Sequence, residues 1–517
     1  MRTSGAMRYF QNERWLLIFM SFVITTLFLI VNGYLFNQED LEEVLPPIYK
    51  GLNPGLYPYD TYVNETLAQY TSRTPYIHFL TVLYRVFNTE LIFFVICFAS
   101  ILLSVWSFLK MGIFFGIDAF KSGLIVALIF VGFDFLPIGG NFIQDSYCTP
   151  ANIALGLTAF SIYLYLIKKY WLAGLILAIA TYFQLLVGLQ VFVILCIYSV
   201  LDSNYRGFWR AGLIYLSLSM PHIYLLFLSQ NGQYDIDFYS KIIYTYRNPH
   251  HFVFSTFSKK SYIMYFSLLG IYFVTYPFLR VSDALKRWSL VWVGISTLGI
   301  AVYVVGFEYF GMELFAKTQW IKTSIWAYAW ALMVLLHALP KFSKISISRR
   351  SQCNISLGGF CLSIGILGLI YFNKISLIEP FQIGYYAKTD LEKMHDWVKA
   401  NTPTNAVVLS FPNDFGVMSQ TQRSVPVSYK AIIHNPGFIL PWFSRMKELY
   451  GADLVQTQNN ISNLQEIVEL WPQKLENSDI VKYKINYIIA NDSDKLSIRS
   501  VKIVHREADL ICLKIEQ

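Results

Sequence analysis

The sequence predicts a polytopic α-helical membrane protein of about 11 transmembrane helices, closed by a small C-terminal α/β domain. Three observations predict it. The chain is 55% hydrophobic and only 14% charged, where a soluble domain is typically about 25% charged. Apolar runs recur from Trp15 to Phe372, many of them near the ~20 residues needed to cross a bilayer. After Asn373 these runs stop, and shorter segments with helical or strand periodicity replace them.

A basic start (Arg2, Arg8, Arg14) leads into an apolar run from Trp15 to Phe36. That run is too long for a signal-peptide core and no small-residue cleavage site follows it, so it reads as a retained first span. Further spans fall near 90–109, 122–139, 149–167, 171–184, 187–201, 211–229, 261–279, 288–306, 319–339 and 353–372. The fifth and sixth are short and split at Tyr182-Phe183-Gln184, as a broken hairpin would be. Orientation follows from the Lys and Arg of the short loops. With the N-terminus inside, Lys110 and Lys121, Lys168 and Lys169, Arg206 and Arg210, Arg280 with Lys286 and Arg287, and the basic loop from Lys341 to Arg350 all fall on the inner side, while the alternate loop 140–148 has no Lys or Arg. An odd number of spans then puts the C-terminal region outside, on the extracytoplasmic face of what is expected to be a bacterial cytoplasmic membrane.

The domains expected are therefore a transmembrane domain, 1–372, with a long first outer loop at 37–89 and another at 230–260, and a soluble domain at 373–517. Pro and Gly punctuate the first loop, so it is not one helix. Leu41–Tyr49 and Thr74–Phe87 are suited to lie along the membrane surface, the second with Ile77, Leu80, Leu83, Tyr84 and Phe87 on one side. In the tail, helices are expected over Asp390–Ala400, Gly437–Tyr450 and Ile461–Leu475, and strands in Ala406–Phe411, Tyr483–Ala490 and Val501–Ile515.

Composition also excludes. The six cysteines show no CxxC spacing and sit mostly in apolar runs, so they read as small core residues. A net charge of +8 comes without a dense basic tract, which fits basic inner loops and no nucleic-acid partner. The first strand of the tail is not followed by a Gly-rich phosphate loop, so the tail is not a nucleotide-binding module.

The candidate functional residues gather on the outer side. Glu39 and Asp40 directly follow the first span. A carboxylate there is suited to act as general base on an acceptor hydroxyl, or to hold a divalent cation (Mg or Mn) beside a phosphate, or merely to cap a helix end. Tyr59 and Asp60 lie in YPYDTY, where aromatic planes suit sugar rings as well as membrane interfaces. Asp134 sits near the outer end of the third span, and an ionisable residue at membrane depth is a functional candidate by default. His78 and Asp145 lie in outer loops. Tyr246-Arg247-Asn248-Pro249-His250-His251 is the most distinctive string. Its Arg can grip a phosphate, and its histidines can bind a metal or move a proton if Pro249 makes a turn. Gln319 and Lys322 share one face at the mouth of a late span, where Lys322 can hold a lipid phosphate or snorkel.

This layout resembles the GT-C superfamily of polyprenyl-phosphate-sugar-dependent membrane glycosyltransferases, and looks similar to poorly characterised bacterial members. The resemblance rests on the acidic pair after the first span, the long first outer loop, polar outer loops between later spans and a closing α/β domain. It also rests on the strings LYPYDTY, RNPHHF, DWVKANTPTNAVVLSFP, QRSVPVSYK and PWFSRMKELYG. It implies transfer of a sugar from a polyprenyl-phosphate-linked donor to a glycan, lipid or protein acceptor, with Asp40, or Glu39, as base or metal ligand. The tail lacks a WWD-type motif, which sets the chain apart from the oligosaccharyltransferase branch. Two other readings fit the spans: a transporter or flippase of lipid-linked glycan, which should show internal repeats and polar groups near the midplane, and a non-catalytic membrane assembly factor. No convincing repeat is visible.

Overall fold

Where the sequence has its apolar runs, the computed structural model of the chain has apolar helices. It describes residues 14–37, 39–132, 138–140, 142–229, 235–339, 361–371, 380–454, 463–494 and 496–516. Among these, six helices are long and apolar enough to cross a membrane: Trp15–Asn32, Leu91–Phe114, Tyr205–Ser229, Lys259–Phe278, Asp283–Tyr309 and Glu313–Ala338. Five shorter apolar helices, Ala119–Phe130, Pro150–Leu166, Tyr170–Phe183, Leu185–Leu201 and Cys361–Tyr371, fall in the remaining predicted spans. The break between the fifth and sixth falls at Gln184, which leaves helical geometry at φ −145° and ψ 102°. The fold is that of a polytopic α-helical membrane protein with a small C-terminal sheet domain.

The chain divides into two compact units. The first holds residues 1–35, 93–222 and 250–386. Its helices pack through small residues and aromatics. A Cβ on Gly174 would collide with the Ala211 backbone, so glycine lets those two helices touch. Trp288, Trp292 and Trp330 are fully buried and their rings meet at centroid distances of 5.6–6.2 Å, the geometry aromatic clusters favour. Leu213, Ile263, Ile271, Val274 and Leu298 are exposed on the helix surfaces, an apolar exterior suited to lipid rather than water.

The second unit holds residues 36–92, 223–249 and 387–517, so the 37–89 segment and part of the 230–260 segment cluster with the tail. The acidic string Glu39–Glu43 forms one 3-10 turn. Three helices follow, α1 (Leu45–Leu52), α2 (Thr61–Ala68) and α3 (Thr74–Phe87). Pro near the start of α1 and of α3 occupies the turn where a missing N–H costs nothing. Tyr76, Ile77 and Leu80 of α3 are buried, and Phe79, Val82, Val86 and Phe87 form a second, exposed apolar face. The stretch expected as a polar loop at 230–260 is helical where described. Ile236–Ser240 leads into a π-helical turn, Lys241–Arg247, that buries Ile242, Ile243, Tyr244, Tyr246 and Arg247.

The tail has α4 (Asp390–Asn401), α5 (Val417–Thr421), α6 (Pro436–Tyr450), α7 (Asn463–Lys474) and α8 (Asn477–Lys482). A full capping box starts α4: Thr389 and Glu392 bond reciprocally to each other's backbone. The sheet runs β1-β2-β4-β3, with β1 (Val408–Leu409), β2 (Tyr487–Asn491), β3 (Val501–Glu507) and β4 (Leu510–Ile515). β1 pairs parallel to β2, and β4 runs antiparallel to both β2 and β3. Nearly all of β2 and half of β4 are buried, so the core lies under the middle of the sheet.

Candidate functional site

The acidic turn sorts its four carboxylates into two pairs. Asn37 and Glu39 take left-handed backbone angles, φ 62° and 53°. Glu42 and Glu43 point into the protein and are buried. Glu39 and Asp40 stay about a third exposed, at 38% and 34% of their side chains. All four meet partners from distant parts of the sequence.

The outward pair shares one cation. The Lys430 ammonium lies 2.6 Å from Asp40 Oδ1 and 3.5 Å from Glu39 Oε2. The Phe415 ring lies 5.8 Å from the same ammonium, close enough for a cation–π contribution. Burial pushes the Asp40 carboxyl up. Lys430, then Arg73 and Arg247, outweigh burial and hold it below the usual carboxylate range, so Asp40 is ionised at neutral pH. Lys430 shows the reciprocal effect: burial lowers it, and Asp40 and Glu43 raise it above the usual ammonium range.

Lys430 stands on a fixed base. Arg247 donates from Nε to the Tyr429 carbonyl at 2.7 Å and from one terminal nitrogen to the Lys430 carbonyl at 3.1 Å. Its other terminal nitrogen donates to Asn248 Oδ1 at 3.0 Å, and the guanidinium lies 4.5 Å above the Tyr429 ring. Ser428 Oγ accepts from the backbone N–H groups of Lys430 and Ala431, both at 3.2 Å. Arg247, expected to grip a phosphate, here holds the backbone that carries Lys430.

The inward pair anchors the turn. Glu43 pairs with Arg73 at the start of α3. Burial pushes the Glu43 carboxyl up and Arg73 opposes it. Glu42 is fully buried and accepts from the backbone N–H groups of Met418, at 2.6 Å, and Ser419, at 3.0 Å. Burial nevertheless pushes Glu42 up to about 7 against those bonds. The Asn37 carbonyl accepts from Ser419 Oγ at 2.9 Å and from Gln420 Nε2 at 3.0 Å. A Cβ on Gly416 would sit 3.0 Å from that same carbonyl and 2.7 Å from Gln420 Nε2, so a side chain there would press on the Gln420–Asn37 contact.

Behind Gln420 lies a buried histidine. His395 Nδ1 is 2.7 Å from Gln420 Oε1 and Nε2 is 2.8 Å from Asp414 Oδ2, which also accepts from Ser410 Oγ at 2.5 Å. Because Gln420 Nε2 donates to Asn37, its oxygen faces His395. Both His395 nitrogens therefore face acceptors, the pattern of an imidazolium. Burial lowers the His395 pKa, but Asp414 and Gln420 outweigh it and raise it. Ser410 bonds to the aspartate and not to the histidine, so this is not a nucleophile–base arrangement.

The other expected residues divide between the units. Asp60 is 1% exposed. It caps α2 through Val63 N–H at 2.9 Å and accepts from Val425 N–H at 3.0 Å, and burial pushes it up to about 6. Tyr59 is exposed, with the Lys484 ammonium 5.1 Å from its ring. His78 is exposed on α3. In the first unit, the rings of His250 and His251 lie side by side, 4.1 Å apart, on a short helical turn. A Cβ on Gly140 would meet the His250 carbonyl and the His251 ring, and one on Gly139 would meet the Ile321–Lys322 peptide. The Gln319 carbonyl accepts from Gln190 Nε2 at 3.1 Å and from Lys322 N–H at 2.9 Å. Asp145 is tied through its backbone to Asn152. Asp134 lies outside the described residues.

Among the described residues, no group of three or more His, Cys, Asp or Glu is placed to hold a metal. The Lys430 ammonium stands between Glu39 and Asp40, so a divalent ion would bind these two carboxylates only by displacing it. Sequence reasoning missed Lys430, Arg73, His395 and Asp414. The signal for Lys430 was a lone cation inside the apolar string VPVSYKAII.

Residues 389–449 match a family described as a domain of unknown function, DUF6798. That segment carries His395, Asp414, Gln420 and Lys430. No curated protein matches the chain in sequence. Among solved structures, the chain is similar to the apo oligosaccharyltransferase of Archaeoglobus fulgidus, at 10% identity and a TM-score of 0.43, over 93% of this chain and 70% of that one. It is similar to AglB, the oligosaccharyltransferase of the same organism in complex with an inhibitory peptide and a dolichol-phosphate, at 8% identity and a TM-score of 0.40, with the same coverage. It is also similar to apo ArnT from Cupriavidus metallidurans, at 10% identity and a TM-score of 0.39, over 96% of this chain and 97% of that one.

Proposed function

We propose that this chain is a membrane glycosyltransferase that moves a sugar from a polyprenyl-phosphate donor to a hydroxyl of a glycan, lipid or protein acceptor on the extracytoplasmic face. The observation that carries the reading is Asp40: an ionised, part-exposed carboxylate held in a preformed cluster of charges, directly after the first span, where the GT-C resemblance expects a base. A lipid-linked donor keeps its phosphate at the headgroup level, so its chemistry belongs next to a span.

In the proposed step, Asp40 takes the proton of the acceptor group as that group's heteroatom bonds to the sugar's anomeric carbon. The bond from that carbon to the phosphate oxygen breaks, its electron pair leaves on polyprenyl phosphate, and Asp40 later releases the proton to water. Positive charge builds on the sugar ring in transit, and the carboxylates of Glu39 and Asp40 are placed to favour it. A divalent cation held by Glu39 and Asp40 would take the place of the Lys430 ammonium.

The test is transfer from radiolabelled polyprenyl-phosphate sugars in membranes containing wild type, Asp40→Asn or Asp40→Glu at matched expression. The reading expects transfer by wild type and loss in Asp40→Asn. Equal transfer by wild type and Asp40→Asn would remove Asp40 from the chemistry. An absence of transfer with every donor would overturn the enzyme reading in favour of transport or assembly.

A further inference from the structure

We infer that Lys430 is the ligand of the donor's phosphate, and that it is held in reserve by Asp40, so that the phosphate displaces the carboxylate from the ammonium and binding of the donor frees the base. This rests on the glycosyltransferase reading above.

Among the described residues, three cations stand around the acidic turn, and one of them is placed to change partners. Arg73 is committed to Glu43, whose side chain is only 7% exposed. Each nitrogen of Arg247 already donates within the protein, two of them to backbone carbonyls. Lys430 is different. Its backbone is pinned by Arg247 and Ser428, while its ammonium lies beside the Phe415 ring and pairs with two carboxylates that are themselves about a third exposed. A flexible four-carbon stem with three rotating donors on a fixed base suits a hand-over between two anions.

The charges make the exchange balanced. Glu39, Asp40 and Glu43 oppose Lys430, Arg73 and Arg247. A phosphodiester donor brings one negative charge to Lys430 while Asp40 keeps its own, so the site becomes anionic just where the sugar must become cationic. Without Lys430 beside it, Asp40 loses the largest influence that opposes its burial and becomes the stronger base that proton transfer requires. The monoester product carries more charge than the donor near neutral pH, so the same ammonium should hold product more tightly than donor.

The experiment measures binding of farnesyl phosphate to the purified full chain in detergent, with farnesol and inorganic phosphate as comparison ligands. The variants are Asp40→Asn, Lys430→Met and the double variant, which is charge-balanced. Removing the competing carboxylate should tighten farnesyl phosphate binding about tenfold in Asp40→Asn, and removing the ammonium should weaken it about tenfold in Lys430→Met and in the double variant, the scale of one charge-assisted hydrogen bond. A merely structural role for Asp40 cannot produce tighter binding. Equal affinity of wild type and Asp40→Asn, or of wild type and the double variant, would overturn the exchange while leaving the glycosyltransferase reading standing. Inorganic phosphate binding as tightly as farnesyl phosphate would show a free-phosphate site and overturn it too. No preference for farnesyl phosphate over farnesol in any variant would sink both.

Discussion

Replacing Glu42 by glutamine turns the buried anchor of the acidic turn into a pH test. Glu42 is 0% exposed and faces the backbone N–H groups of Met418 and Ser419, yet burial raises its pKa from an ordinary 4.5 to about 7. A raised carboxyl binds its proton more tightly folded than unfolded. Its contribution to stability is therefore whole below pH 4.5 and is lost as pH rises through 7. At roughly 1.4 kcal/mol per pH unit, that interval is worth about 3 kcal/mol. Glutamine keeps the shape and one acceptor and does not titrate. A protonated glutamate and a glutamine are near equivalents in this position, so wild type and Glu42→Gln should melt alike near pH 5. At pH 8 the variant should be the more stable by about 3 kcal/mol. The assay is thermal melting of both proteins in the same detergent at pH 5 and pH 8. Asp60 titrates in both proteins and cancels in the difference; His395 cancels only in part, because Glu42 contributes to its raised pKa. A variant that melts lower than wild type at pH 8 would refute the reasoning, because the two backbone bonds would then outweigh burial and the anchor would be ionic.

Other outcomes follow from the same contacts. Arg73→Met leaves Glu43 buried without its cation and should cost about 3–5 kcal/mol, whereas Arg73→Met with Glu43→Met should recover most of that, as replacing a whole buried pair does; melting temperatures of the single and double variants check it. Gly139→Ala puts a Cβ 2.7 Å from the Ile321 carbonyl at a φ of +108° and should lower the melting temperature, while Gly270→Ala, with nothing within 4 Å, should not.

Much of the fold was legible because it is written in local periodicity. The apolar runs gave the membrane helices, Gln184 marked the break in the hairpin, and the face pattern of Thr74–Phe87 gave α3 with the bounds observed. The tail's strands and helices appeared close to where alternation and capping placed them. The site was legible only at its local end. Glu39 and Asp40 stood out by position, but Lys430, which neutralises them, lies about 390 residues on, and a long-range ion pair leaves no periodic mark. Asp60 was read for its aromatic neighbours; the Asp60-Thr61 start of α2 was the better signal, since an aspartate before a helix is a cap. Arg247 looked like a free polar residue because a π-helical turn that buries it beneath the Lys430 backbone cannot be seen in RNPHHF. Gly139 and Gly140 closely approach two other backbones, a constraint that leaves no local mark in the sequence.

The central claim is that Asp40 takes the acceptor's proton in a sugar transfer, and the most direct measurement is stoichiometric. Purified protein would be given a polyprenyl-phosphate sugar and an acceptor, and both glycosylated product and released polyprenyl phosphate would be counted. The account predicts that they appear one for one with wild type, and that Asp40→Asn lowers kcat about 10²–10⁴-fold, the range of a lost general base, without raising KM for the donor. One-for-one transfer with an unchanged kcat in Asp40→Asn would contradict it.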